Sequence, residues 1–93
     1  MNREEKPILI VDDDMVDIMT VRRALKEINV TNPTVAKNNG EEALEYLMNE
    51  SEEDPCIVLL DLNMPKMNGI EFLQKLNQTG KKKHVPIIVL TTS

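Results

Sequence analysis

Two short, wholly apolar runs that end in acid constrain this chain more than any other feature. Ile8-Leu9-Ile10-Val11 runs into Asp12-Asp13-Asp14, and Cys56-Ile57-Val58-Leu59-Leu60 runs into Asp61. An unbroken apolar stretch of this length leaves no solvent face, so it reads as a strand buried on both sides. A carboxylate at the end of such a strand is carried out of the core to a sheet edge. In open α/β sheets that edge is where ligands bind, so two buried strands delivering carboxylates to one end of a sheet define a candidate site.

The intervening segments are helical. Ile18, Val21, Leu25 and Ile28 recur at separations of three, four and three residues, and one of Asp12 to Asp14 is placed to cap that helix. Thr31-Asn32-Pro33 breaks it. Thr34-Val35-Ala36-Lys37 is a weaker strand, expected nearer an edge, and Asn38-Asn39-Gly40 turns into a helix marked by Ala43, Leu44, Leu47 and Met48. Beyond Asp61, Ile70, Leu73 and Leu76 mark a third helix, and Pro86-Ile87-Ile88-Val89-Leu90-Thr91 is a fourth strand. The alternation β-α-β-α-β-α-β, with crossover helices, predicts a single α/β domain over 1–93 whose parallel sheet is covered on both faces. Chain order alone does not fix strand order. Placing the first strand between the second and third sets both acidic ends side by side.

The fourth strand is strongly apolar and is followed only by Thr92-Ser93. An uncovered apolar edge invites pairing. The chain therefore reads as an incomplete domain lacking at least one βα unit, with self-association through the fourth-strand edge as an expectation.

Composition narrows the functional classes. A net charge of −5, no Trp and only Tyr46 and Phe72 as aromatics argue against direct nucleic-acid binding. No apolar stretch reaches the roughly 18 residues of a membrane span, and Met1 to Lys6 lacks a secretory core. The single cysteine, Cys56, cannot form an internal disulfide, which fits a cytoplasmic protein.

Asp12, Asp13 and Asp61 converge in this topology. Three neighbouring carboxylates repel, and a hard divalent cation such as Mg²⁺ relieves that repulsion through oxygen ligands while accepting phosphoryl oxygens. A carboxylate beside such a cation can attack phosphorus and become an aspartyl-phosphate. Taken alone, Asp12 to Asp14 would serve equally as a helix cap. Thr91, at the end of the adjacent strand, is placed to donate its hydroxyl to a phosphoryl oxygen. The backbone carbonyl of Asn63, two residues after Asp61, is a candidate metal ligand. The Lys81 to Lys83 run reads as a solvated loop, and His84 has no companions at metal-ligand spacing.

Three blocks carry a resemblance: Ile8 to Asp14, Asp61-Leu62-Asn63-Met64-Pro65-Lys66-Met67-Asn68-Gly69, and Pro86 to Thr91. In order and spacing they resemble the signature blocks of receiver domains of two-component response regulators. Asn39-Gly40-Glu41-Glu42-Ala43-Leu44 is similar to the opening of that family's second helix, and Leu90-Thr91-Thr92-Ser93 is similar to single-domain receivers of the phytochrome-associated subgroup. The resemblance implies a flavodoxin-like doubly wound sheet of order 2-1-3-4, with the fifth βα unit missing. It implies Asp61 as phosphoacceptor, Asp13 as direct Mg²⁺ ligand, Asp12 acting largely through metal-bound water, the Asn63 carbonyl as a further ligand, and Thr91 as the switch hydroxyl. A sensor histidine kinase or phosphotransfer protein would be the donor, and the domain would not be a turnover enzyme. The family's lysine, which pairs with the phosphoryl group, lies beyond Ser93, so an inactive truncated or engineered fragment is an alternative. A haloacid-dehalogenase-like aspartyl-phosphate hydrolase would want an Asp where Asn63 stands. A flavodoxin-like FMN site would want Ser, Thr and Gly where Asp12-Asp13-Asp14 stands, which repels phosphate without a cation.

Overall fold

The computed structural model describes residues 6–49, 51, 54–61, 69–79 and 85–90. The elements follow one another as β1 (Ile8–Val11), α1 (Met15–Glu27), β2 (Thr34–Lys37), α2 (Gly40–Met48), β3 (Ile57–Asp61), α3 (Gly69–Thr79) and β4 (Ile87–Leu90). All strands are parallel, in the order β2-β1-β3-β4. The expected central placement of β1 therefore holds, and β2 is an edge strand. Among the described residues no helix is long and apolar enough to cross a membrane.

Side-chain alternation divides the sheet into two cores, because successive residues of a strand point to opposite faces. Leu9, Val11, Val58 and Leu60 face α2 and α3 and pack with Ala43, Tyr46, Leu47, Phe72 and Leu76. Ile8, Ile10 and Leu59 face α1 and pack with Ile18, supported by Val21, Leu25 and Val30. Both faces of β1 and β3 are thus filled, which is why their sequences are apolar without interruption.

Caps set the helix boundaries. Asp14 opens α1, its carboxylate accepting from the Val16 N–H at 2.9 Å. Asn39 opens α2, accepting from the Glu42 N–H at 2.9 Å, while the Glu42 carboxylate accepts from the Asn38 N–H at 3.2 Å. The first of these bonds satisfies an N–H that the first helical turn leaves without a partner, and the second ties the residue before the cap to the helix.

Two residues at the helical spacing lie off the buried faces. Ile28 is 68% exposed rather than on the buried face of α1. The helix ends at Glu27, and Asn29, at φ 66°, turns the chain in the left-handed region so that Val30 reaches the core instead. Ile70 is 57% exposed, and the inward face of α3 is formed by Phe72, Leu73 and Leu76. The three-residue spacing of Ile70, Leu73 and Leu76 follows one side of the helix, but Phe72 is fully buried in the core beside Leu76.

Candidate metal centre

The register brings the two acidic strand ends together. Val11 pairs with Leu60 across β1 and β3, so the next residues, Asp12 and Asp61, stand opposite each other at the C-terminal edge. Both continue rows that face α1: Ile8-Ile10-Asp12 on one strand and Ile57-Leu59-Asp61 on the other. Asp12 and Asp61 are each only 3% exposed, whereas Asp13 is exposed.

Local hydrogen bonds hold the acidic loop. The Asp12 N–H donates to the Lys37 carbonyl at 3.0 Å, extending the ladder one step past β2. The Asp12 carboxylate accepts from the Asp14 N–H at 2.9 Å, and Asp14 in turn caps α1. The three acids thus divide their work: Asp12 is buried against Asp61, Asp13 projects outward, and Asp14 begins the helix. The capping reading holds for Asp14, while Asp12 and Asp13 stand beside Asp61 as candidate cation ligands.

One carboxylate oxygen from each of Asp12, Asp13 and Asp61 falls within 4.8 Å of the others. At that separation two ionised carboxylates repel by about 3 kcal/mol for an effective dielectric near 20. Burial pushes the Asp12 carboxyl up from 3.8 to about 6, and the charges of Asp61, Asp17 and Asp13 push in the same direction, while the Asp14 N–H opposes them.

These features fit a divalent cation. Oxygens on opposite sides of an octahedral Mg²⁺ lie about 4 Å apart, only slightly less than the span of this cluster. The donors are all carboxylates, as a hard cation prefers, and two of them are buried on a rigid sheet. The charge of the cation would offset both the mutual repulsion and the desolvation of Asp12.

Asn63 and Thr91, the other expected site residues, lie outside the described residues, as do Lys81 to Lys83 and His84. Leu90, the residue before Thr91, is the register partner of Asp61. Sequence reasoning passed over Asp17, a half-buried acid in the first turn of α1 whose charge acts on Asp12. Its spacing was a usable signal, because it lies one turn before Val21 on the helix.

The response regulator receiver domain family model matches residues 8–93. The chain is 35% identical over 92 residues to response regulator Rcp1 of Synechocystis sp., covering 95% of this chain and 63% of that protein. It therefore spans less than two thirds of the length of that curated relative. Among solved structures, the bacteriophytochrome response regulator AtBRR superposes with a TM-score of 0.87 at 38% identity, over 97% of this chain and 69% of that one. The Mn²⁺-bound form of Rcp1 superposes with a TM-score of 0.84 at 35% identity, over 95% of this chain and 66% of that one. With its β2-β1-β3-β4 sheet and its acidic cluster at the strand ends, the chain belongs to the response regulator receiver domain family.

Proposed function

We propose that this chain is a phosphoacceptor of a two-component system, taking a phosphoryl group onto Asp61 from a histidine of a sensor kinase or phosphotransfer protein, with Mg²⁺ held by Asp12, Asp13 and Asp61. The observation that carries this reading is the convergence of those three carboxylates within 4.8 Å at the C-terminal edge of β1 and β3. An Asp61 oxygen bonds to phosphorus as the P–N bond of the donor breaks, its electron pair leaving with the imidazole nitrogen. Bound at this cluster, the cation supplies positive charge against the phosphoryl oxygens.

The rest is the work of the chain's own residues. Burial of Asp61 limits water around the reacting oxygen, and the packed rows of β1 and β3 fix its position. Asp12 and Asp13 hold the cation, with the Asn63 carbonyl as a further ligand. Thr91 follows Leu90, the register partner of Asp61, and that position in the sequence supports it as the hydroxyl that donates to the phosphoryl group. Mn²⁺ bound to Rcp1 supports a divalent cation in a relative of this fold. Exposed Met15, Val16 and Met19 on α1, just past the acidic loop, offer apolar surface to a protein donor.

Asp61 is consumed by each phosphoryl group it receives, so the domain is a stoichiometric acceptor rather than a turnover enzyme. A cytoplasmic site of action accords with a kinase donor and with Cys56 as a free thiol. Residues 1–93 are read as parts of one domain, because a single sheet carries both cores. Self-association through the β4 edge is supported by Ile88 and Val89, which are 48% and 40% exposed.

Labelling by a small phosphodonor such as acetyl phosphate tests the central reading. The unaltered chain is expected to gain one phosphoryl group in the presence of Mg²⁺ and none after chelation. Asp61→Asn should abolish the labelling; undiminished labelling of that variant would end the reading.

A further inference from the structure

We infer that the cleft between α2 and α3 is a docking site for a short amphipathic helix of a protein partner, with apolar residues on Leu44 and Met48, a basic flank toward Glu41 and Glu45, and an acidic residue toward Lys75. This inference is independent of the cation site proposed above. α2 carries two stripes at helical spacing. Ala43, Tyr46 and Leu47 form the first and are buried against the sheet. Glu41, Leu44, Glu45 and Met48, at separations of three, one and three residues, form the second. Together with Lys75 of α3 they line a cavity of about 430 Å³. Leu44 and Met48 are half-buried, while Glu41, Glu45 and Lys75 are exposed.

Leu44 has a structural role, because it packs against the core. That role does not account for the charges. Two carboxylates of α2 and one ammonium of α3 border the same cavity, yet among the described residues no ion pair joins Lys75 to Glu41 or Glu45. Glu41 lies in the first turn of α2, where the helix dipole favours a negative charge, but Glu45 lies a turn further on, beyond that effect. Opposite charges left apart across an apolar floor offer both signs to a ligand at once. A purely basic partner would meet Lys75, and a purely acidic one would meet the two carboxylates. Complementarity therefore selects a helix with basic residues on one flank and acidic residues on the other. Leu44 and Met48 are four residues apart, about 6 Å along the axis, the interval at which a second helix lying alongside repeats its own side chains. α2 has only nine residues, so the contact is small and the association weak and transient.

A synthetic helical peptide tests this, with leucines four residues apart, lysines on one flank, glutamates on the other and no net charge. Its binding to the full chain is followed by fluorescence anisotropy and by the amide shifts of the isotope-labelled chain. Saturable binding, with shifts confined to α2 and α3, is expected. Glu45→Gln and Lys75→Gln should each weaken it about two- to fivefold. The two substitutions change the net charge in opposite directions, so a response to the overall field would not weaken binding in both. Met48→Ala should weaken binding about three- to tenfold. Glu27→Gln, at the end of α1, should leave it unchanged. The absence of saturable binding overturns the inference, as do shifts centred on other elements or an unaltered affinity in both Glu45→Gln and Lys75→Gln. Concentration-dependent shifts of α2 and α3 in the chain alone would make a second copy the occupant and overturn it as well.

Discussion

Asp12 is the residue at which stability and function pull apart. Its carboxyl is held at about 6 against 3.8 for the free group, chiefly by burial and then by Asp61 and its other acidic neighbours. Well below pH 3.8 the folded and unfolded chains both carry the proton, and burial of Asp12 costs nothing in ionisation. From about 3.8 to about 6 the unfolded chain releases its proton first, so stability falls as pH rises through this window. Above about 6 the folded chain carries the full penalty, about 3 kcal/mol. Asp12→Asn keeps an oxygen able to accept from the Asp14 N–H and removes the charge. In chelator at pH 7.5 this variant is expected to melt several degrees higher than the unaltered chain, with the advantage gone near pH 4. Added Mg²⁺ should raise the melting temperature of the unaltered chain and leave the variant almost unmoved. A variant that melts lower in chelator would show that Asp12 is stabilising and contradict this account. Sequence alone marked Asp12, Asp13 and Asp14 as a group. Only the loop hydrogen bonds and the register separated a buried acid, an exposed acid and a cap.

Elements show where periodicity was sufficient. The caps of α2 are local: Asn39 and Glu42 are three residues apart and satisfy each other's backbone neighbourhood. Asn39→Ala is expected to cost about 1 kcal/mol, seen as a lower urea midpoint with an unchanged slope. Because α2 packs on β1 and α3 through Ala43, Tyr46 and Leu47, that loss should appear in the global transition rather than as local fraying. The strands were legible because residues buried on both faces leave unbroken apolar runs. The inward faces of α1 and α3 were legible in part. Ile28 and Ile70 fit the spacing but are exposed, since the helix end at Glu27 and the position of Phe72 depend on what each helix meets.

Among the described residues, β4 is an outer strand of the sheet, and its exposed side chains bear on the chain as given. Ile88 and Val89 are open on opposite faces of an outer strand, while Ile87 and Leu90 pack inward. Outer strands with apolar, partly open faces tend to pair with other chains. Light scattering across a concentration series is expected to show self-association of the chain as given. Ile88→Lys should shift it toward monomer without lowering Mg²⁺ affinity, since β4 supplies none of the three clustered carboxylates. A monodisperse monomer at every concentration would remove the proposal of pairing through β4.

The sequence by itself determined the alternation of strands and helices, the two acid-terminated buried strands and the resemblance of its motifs to a receiver domain. These are local properties, written in runs, spacings and caps. Tertiary structure decided that β1 lies between β2 and β3, because strand order depends on contacts between segments distant in sequence. It also decided that Asp12 and Asp61 are buried opposite each other on the α1 face. Burial and proximity belong to the assembled sheet, so the charge balance of the site becomes visible only there.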